Sequence, residues 1–109
     1  MGWEGILKGK VGLNAADISM IEYIMKDGVA RSVKGLMEDI YNEIAITRRL
    51  PENRRLELAR EIGRPRVTKF NGSNYSIKHY FASSPDYESR KIATNEVGSP
   101  ILEYRYVGE

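Results

Sequence analysis

The residues best suited to bind a charged ligand are concentrated in one segment of this chain. Residues 46–70, here named the arginine-rich segment, contain eight basic and three acidic residues, whereas the whole chain has a net charge of only +2. The basic residues are Arg48, Arg49, Arg54, Arg55, Arg60, Arg64, Arg66 and Lys69. A guanidinium group donates two parallel hydrogen bonds to a phosphate, which a lysine ammonium group cannot do. We therefore expect phosphate contacts from this segment.

The same segment also fits a solvated helix surface on which glutamate and arginine side chains pair with one another. Glu52, Glu57 and Glu61 lie among its arginines at spacings of three or four residues. Pairs of this kind stabilise an exposed helix and need no ligand. Both interpretations of the arginine-rich segment remain open from the sequence.

A second candidate surface lies on a helix predicted at residues 74–84. Ile77, Tyr80 and Phe81 occur at positions i, i+3 and i+4, so they form the buried side of this helix. The opposite side has no carboxylate and is expected to contain Tyr75, Ser76, Lys78, His79, Ala82 and Ser83. A helix in a negatively charged groove needs that absence, and these side chains suit contacts with base edges, sugars and phosphates. The alternative is an exposed helix that lacks acids by chance.

Behind this helix the apolar residues alternate with a period of two, which predicts an antiparallel hairpin. Its strands are expected at residues 87–93 and 102–106, with a connection rich in turn-forming residues between them. Arg90 and Lys91 are adjacent and so point to opposite faces, which leaves one of them to contact a phosphate or a minor groove. Because Glu96 lies in the loop, we expect only weak contacts from the hairpin tip.

Residues suited to catalysis are scarce. His79 is the only histidine and cysteine is absent, so we find no catalytic triad, no thiolate nucleophile and no set of metal ligands. The glycines match neither a dinucleotide-binding nor a phosphate-loop motif. Glu38, Asp39 and Glu43 share one helical surface, which predicts a solvated acidic face rather than an acid–base pair. We expect no catalytic residue, no metal, no cofactor and no enzymatic activity.

Composition indicates an ordinary globular domain. Hydrophobic residues make up 41% of the 109-residue chain and charged residues 29%. The apolar runs are too short to span a membrane, and residues 1–13 lack the apolar core of a secretion signal. The absence of cysteine is compatible with a reducing compartment. We therefore expect no membrane association and a cytoplasmic location.

Three further helices are predicted upstream. The first covers residues 15–27, follows Asn14 as N-cap, and buries Ile18, Ile21, Ile24 and Met25. The second covers residues 33–47 and has the strongest helical periodicity, at Val33, Leu36, Met37, Ile40, Tyr41 and Ile44. The third covers residues 52–62, and its inward residues are expected to be Leu56, Ala59 and Ile62.

The order of a helix, a short extended piece, two helices and a hairpin resembles the winged helix-turn-helix family. The resemblance implies an α+β, mainly helical fold: a winged helix-like bundle of three to four helices with a C-terminal two- to three-stranded antiparallel β-wing. Residues 74–84 would be the recognition helix, with double-stranded DNA as partner. A small transcriptional regulator located at the nucleoid, with a homodimer as one option, would be the corresponding function. The family usually joins its second and recognition helices by a brief turn, whereas some 25 residues intervene here.

A competing register places a helix-turn-helix motif in the sequence LELAREIGRPRV, at residues 56–67. Ala59 would lie at the close helix crossing and Gly63 at the turn. The recognition helix would then begin near Arg66 and end at Asn71-Gly72 after about one turn, which is too short to cross a major groove. Gly63 is also an ordinary C-terminal cap of a helix.

The domain prediction is a flexible N-terminal arm at residues 1–13 followed by a single domain at residues 14–107. The arginine-rich segment forms a helical insert in that domain, at about residues 48–72. The arm contains four glycines and a small apolar cluster of Trp3, Ile6 and Leu7. A buried tryptophan often dominates the binding energy of an interface. An alternative function is therefore a protein-interaction or adaptor module of a phage or virus type, which binds a protein partner through Trp3 or through the winged helix surface.

Overall fold

The fold consists of four helices and one three-stranded sheet. The computed structural model describes residues 12–108, so Trp3, Ile6 and Leu7 of the predicted arm lie outside the described residues. Within that range the elements are α1 (Ala15–Met25), β1 (Arg31–Ser32), α2 (Val33–Arg49), α3 (Glu52–Ile62), α4 (Asn74–Ser83), β2 (Tyr87–Thr94) and β3 (Pro100–Tyr106). The predicted mainly helical α+β fold with a C-terminal antiparallel wing is confirmed.

Local capping explains where the first helices begin and end. The Asn14 side chain accepts a hydrogen bond from the Asp17 amide at 2.7 Å, and the Ser32 hydroxyl accepts one from the Gly35 amide at 3.1 Å. Each bond satisfies an amide that has no partner inside its helix. Gly63 ends α3 in the left-handed conformation, with φ of +68°. α1 ends two residues earlier than predicted, whereas α2 continues two residues further.

The hydrophobic core lies between α1, α2, α4 and β3. Ile21, Leu36, Ile40 and Ile77 are completely buried in it. The predicted apolar stripe of α2 is correct except at Tyr41, whose residue is 52% exposed. Tyr41 lies at the edge of the stripe and contacts the Phe70 ring edge-on, with 6.5 Å between ring centroids. An amphipathic tyrosine can occupy such a boundary because its hydroxyl group stays in water.

The sheet has the strand order β1-β3-β2 and is antiparallel throughout. Arg31 of β1 and Ser89 of β2 both lie opposite Tyr104, which places β3 in the centre. A bulge between Lys91 and Ala93 interrupts the pairing of β2 with β3. At the tip of the hairpin Gly98 has φ of +87°, a conformation that glycine adopts without a steric penalty.

α3 differs from the prediction because it lies at the periphery. It contains no buried residue, and Leu56 and Ala59 are only half-buried. Ile62 was expected to face inward, but it is 56% exposed, so this prediction is wrong. The periodicity indicated an amphipathic helix, whereas the depth of burial depends on how much of its surface the rest of the fold covers, and among residues 12–108 that cover is slight at Ile62.

Candidate nucleic-acid interface

The start of α4 is fixed by a reciprocal capping box. The Ser73 hydroxyl accepts a hydrogen bond from the Ser76 amide at 3.2 Å, and the Ser76 hydroxyl accepts one from the Ser73 amide at 2.8 Å. Ser76 is only 4% exposed. The prediction that Ser76 lies on the outer face and contacts bases is therefore wrong, because its hydroxyl turns back toward the helix start.

The chain entering α4 is held by a buried carboxylate of α1. The Asp17 side chain is 2% exposed and accepts a hydrogen bond from the Asn71 amide at 3.2 Å. The sequence does not indicate this bond, because the two residues are 54 positions apart. An aspartate in the first turn of a helix is also explained by its favourable interaction with the helix dipole. Asp17 thus positions the candidate surface without being part of it.

Aromatic packing fixes the rotation of α4 about its own axis. The Phe81 ring is buried, stacked on Tyr104 with 4.5 Å between centroids, and 4.7 Å from the ring of Tyr87. On the other side of this cluster the Tyr80 hydroxyl donates a hydrogen bond to the Glu22 carboxylate at 3.2 Å. Burial raises the pKa of the Tyr80 hydroxyl and of the Tyr87 hydroxyl above their ordinary value.

With that side packed, α4 exposes six residues to solvent, namely Asn74, Tyr75, Lys78, His79, Ala82 and Ser83. Tyr75 is 63% exposed, and its ring stacks on the His79 ring with 6.3 Å between centroids. The Ser83 hydroxyl donates to the His79 carbonyl oxygen at 2.8 Å, so its proton is already used. The exposed cationic and aromatic groups of this outward face of α4 are therefore Tyr75, Lys78 and His79.

Four of the eight basic side chains in the arginine-rich segment bind backbone carbonyl groups or carboxylates of this chain. The Arg48 guanidinium donates to the Thr68 carbonyl oxygen at 2.7 Å, and that of Arg55 donates to the Leu50 carbonyl oxygen at 3.0 Å. On the exposed side of α3, Arg54 pairs with Glu57 at 2.9 Å. Arg48 and Arg55 thus hold the chain on the two sides of α3, and Arg54 is paired on its surface. These contacts weaken the prediction that the three guanidinium groups serve mainly as phosphate contacts.

Arg64 is a clear correction among the predicted phosphate contacts. Its side chain is only 12% exposed and forms an ion pair with Glu43 at 2.5 Å. The same guanidinium donates to the Thr47 hydroxyl at 3.3 Å, inside the packed region of α2. A side chain enclosed in this way has no free donor at the surface, so the prediction that Arg64 contacts phosphate is wrong.

Four cations of the arginine-rich segment are exposed and have no intramolecular partner among residues 12–108. They are Arg49, Arg60, Arg66 and Lys69. The end of α3 lies against α1, where Ile62 and Pro65 share a shallow surface pocket with Tyr23 and Lys26. Lys69 instead lines a pocket with Tyr41 and Phe70, next to the start of α4. Arg66 lines a different pocket from Lys69, with Glu52 and Val67, so these two free cations do not share one site.

The wing has one unpaired cation near its tip. Arg90 pairs with Glu103 at 3.1 Å, and the guanidinium of Arg105 pairs with the Glu88 carboxylate. Lys91 is exposed, and no intramolecular partner is found for it in the described part of the chain. Among the predicted wing contacts, therefore, Lys91 has a free charge and Arg90 does not.

The described residues contain neither a candidate metal site nor a helix that could span a membrane. No group of three or more histidine, cysteine, aspartate or glutamate side chains in residues 12–108 is placed to hold a metal ion. Over the same residues, no helix has the length and apolar content that crossing a membrane requires.

Comparison with family models, with curated proteins and with solved structures finds no match to this chain.

Proposed function

We propose that this chain is a winged helix-turn-helix domain that binds double-stranded DNA, with α4 as its recognition helix. The observation that supports this most is the outward face of α4, where Tyr75, Lys78 and His79 are exposed. No carboxylate occurs between residues 70 and 85, so nothing on this helix would repel a phosphate backbone. A surface of this kind suits entry into a major groove.

The arrangement of the elements also supports the proposal. α4 packs on α2 and is followed directly by the hairpin, and β1 pairs with the central strand β3. In the winged helix resemblance, the recognition helix and the wing adjoin in the same way. Within the long connection between α2 and α4, α3 is peripheral because it contains no buried residue, whereas Phe70 near the end of the connection packs in the core.

In the proposed mechanism Lys78 and His79 donate hydrogen bonds to base edges or phosphates, while the Tyr75 ring contacts the sugar-phosphate backbone. Sequence-independent affinity comes from phosphate contacts of the unpaired cations, namely Arg49, Arg60, Arg66, Lys69 and Lys91. A small transcriptional regulator located at the nucleoid is the function we infer from such binding.

The proposal is tested by the salt dependence of binding to a random-sequence DNA duplex, measured by fluorescence anisotropy. We expect the affinity to fall steeply as salt rises. Replacing Arg60 and Arg66 by alanine should reduce the slope of log affinity against log salt by about 0.9 for each phosphate that the variant no longer neutralises. Arg54→Ala is the matched control, because Arg54 is paired with Glu57. Absence of binding at low salt, or an unchanged slope in the Arg60 and Arg66 variant, would contradict the proposal.

A second candidate function, a protein-interaction module, is favoured by the exposed apolar residues of the wing. Val97 at the hairpin tip is 84% exposed and Ile92 is 46% exposed. Exposed apolar side chains on a protruding hairpin suit a protein contact better than a phosphate contact. Val97→Ser together with removal of residues 1–13 tests this function. Loss of a partner's binding with unchanged DNA affinity would support it, and loss of DNA affinity alone would contradict it.

A further inference from the structure

The outer edge of β2 has no partner strand among the described residues. β2 is the last strand in the order β1-β3-β2 and pairs with β3 on one side only. Every residue of β2 after Tyr87 is exposed. An open edge presents unpaired amide and carbonyl groups in a row that another strand can bind. We propose that this edge binds β2 of a second copy of the chain, antiparallel, to form one continuous sheet of six strands about a two-fold axis.

The hydrogen-bonding pattern determines which residues of β2 can pair outward. The Val107 amide donates to the Asp86 carbonyl oxygen at 2.7 Å, which identifies these two residues as a hydrogen-bonded pair. Hydrogen-bonded and non-hydrogen-bonded pairs alternate along an antiparallel ladder. Continuing the observed register, Glu88 and Arg90 direct their backbone groups toward β3. The backbone groups that point away from β3 are therefore those of Tyr87, Ser89 and Lys91.

The side chains of β2 add a pattern of alternating charge on the face of the sheet opposite the core. Glu88 lies opposite Arg105 and Arg90 lies opposite Glu103, and both pairs form ion pairs. In the first of these pairs the negative charge lies on β2 and the positive charge on β3. In the second pair the positive charge lies on β2 and the negative charge on β3. A hairpin with this reversal is complementary to a copy of itself turned through 180°.

Only one register combines outward hydrogen bonds with matched charges. If the two-fold axis passed through Glu88, two glutamates would face each other, and an axis through Arg90 would place two arginines together. With the axis at Ser89, Glu88 faces Arg90 of the second copy, and Tyr87 faces Lys91 of the second copy. Opposite charges in directly facing positions stabilise a pair of strands, whereas like charges destabilise it. The charge pattern therefore selects the axis at Ser89.

In that register the charges alternate across the whole joined sheet. A row runs from Arg105 through Glu88 to Arg90 and Glu103 of the second copy, and the two-fold axis repeats it. The bulge after Lys91 ends the regular edge, so the paired stretch is limited to residues 87–91. A contact of this length buries little surface, and we expect a weak dimer that forms at high protein concentration. This inference is independent of DNA binding.

The backbone part of the proposal is tested with two substitutions at the axis. Ser89→Pro removes an amide that points away from β3, a position where an edge strand tolerates proline, so the pairing of β2 with β3 is retained. Ser89→Ala removes the hydroxyl and keeps the amide. We expect wild type and Ser89→Ala to form dimers in sedimentation velocity experiments at concentrations up to about 1 mM, and Ser89→Pro to remain monomeric. A monomeric wild type, or a Ser89→Pro variant that dimerises like wild type, would overturn the proposal.

The charge part is tested with two exchange variants that each preserve an ion pair inside the hairpin. The first combines Glu88→Arg with Arg105→Glu, and the second combines Arg90→Glu with Glu103→Arg. In each variant alone, like charges face each other across the two-fold axis. We expect self-association to weaken by roughly tenfold or more in both variants.

Mixing the two exchange variants gives the decisive result. An arginine at position 88 of the first variant then faces a glutamate at position 90 of the second, and the unchanged Arg90 faces the unchanged Glu88. We expect the mixture to form heterodimers with about the wild-type affinity. Thermal unfolding of each variant verifies that the hairpin still folds. Unimpaired self-association of both variants, or a mixture of folded variants that stays monomeric, would refute the Ser89 register.

Discussion

The Phe81 ring of α4 stacks on the Tyr104 ring of β3, with 4.5 Å between ring centroids and 23° between ring planes. Phe81 is 3% exposed and Tyr104 is 6% exposed. The contact joins the helix that has the candidate binding face to the central strand of the sheet. It therefore determines both the stability of the C-terminal half and the direction in which Lys78 and His79 point.

Removing the Phe81 ring should lower the stability of the fold. Phe81→Ala is expected to lower the free energy of unfolding by about 3–5 kcal/mol, because it removes a buried aromatic side chain and leaves a cavity. Tyr75→Ala, on the same helix but 63% exposed, should change it by less than about 0.5 kcal/mol. Urea denaturation of both variants measures the difference. Equal losses in the two variants would contradict this packing of Phe81.

Ser76 should act on stability and not on DNA affinity. Ser76→Ala removes one half of the capping box and is expected to lower the free energy of unfolding by about 1 kcal/mol. Ser83→Ala, whose hydroxyl bonds only to its own helix, should have little effect. DNA titration of the folded Ser76→Ala protein should give the wild-type affinity, and a clear loss of affinity would restore the base contact that the sequence predicted.

Arg64 and Arg54 provide a comparison between an enclosed and an exposed ion pair. Arg64→Ala leaves Glu43 partly buried without its partner, so we expect a loss of about 2 kcal/mol in the free energy of unfolding. Arg54→Ala removes a pair in which both side chains are about half exposed, so the free energy of unfolding should stay close to that of wild type. The measurement is chemical denaturation of both variants. A larger effect at Arg54 would mean that α3 is held differently.

Acid should weaken the pair between Asp27 and Arg31. The hydrogen bond from the Arg31 guanidinium holds the pKa of the Asp27 carboxyl below its ordinary value of 3.8. Because the folded pKa lies below the unfolded one, the pair stabilises the fold above pH about 4, and this contribution disappears as the pH falls through the folded pKa. Asp27→Asn should cost at most about 1 kcal/mol at neutral pH, since water screens this partly exposed pair.

The matched control for Asp27→Asn is Glu38→Gln, which removes an exposed carboxylate that forms no ion pair with any residue from 12 to 108. The free energy of unfolding of wild type and both variants is measured by denaturation at neutral and at acidic pH. We expect the difference between wild type and Asp27→Asn to vanish at low pH and the Glu38→Gln variant to follow wild type. A difference that persists in acid would show that the asparagine perturbs packing rather than charge.

Patterns confined to one element were predictable from the sequence. The periodicity of α2 and the alternation in β3 determine which side each element buries, and the structure agrees at Leu36, Ile40 and Tyr104. The fold class follows from the order of such elements. The outward position of Lys78 and His79 was predictable for the same reason, since it follows from the packing of Ile77 and Phe81.

Contacts between distant parts of the chain were not predictable in this way. Arg64 and Glu43 are 21 residues apart, and no local pattern indicates that they meet. Ile62 has the spacing of an inward residue, but it is 56% exposed because it meets the end of α1 only at a shallow surface pocket. The arginine-rich segment was therefore expected to have more free charge than it has, because the sequence does not show which guanidinium groups bind the backbone.

The most direct test of the proposed function is DNA binding by a protein in which Lys78 and His79 are both replaced by alanine. The titration uses a random-sequence duplex at two salt concentrations, with Lys26→Ala as control, because Lys26 is an exposed cation at the C-cap of α1, outside the outward face of α4. We expect the double variant to bind at least about tenfold more weakly than wild type and the control to bind like wild type. Wild-type affinity and an unchanged salt slope in the double variant would contradict a DNA-binding role of α4.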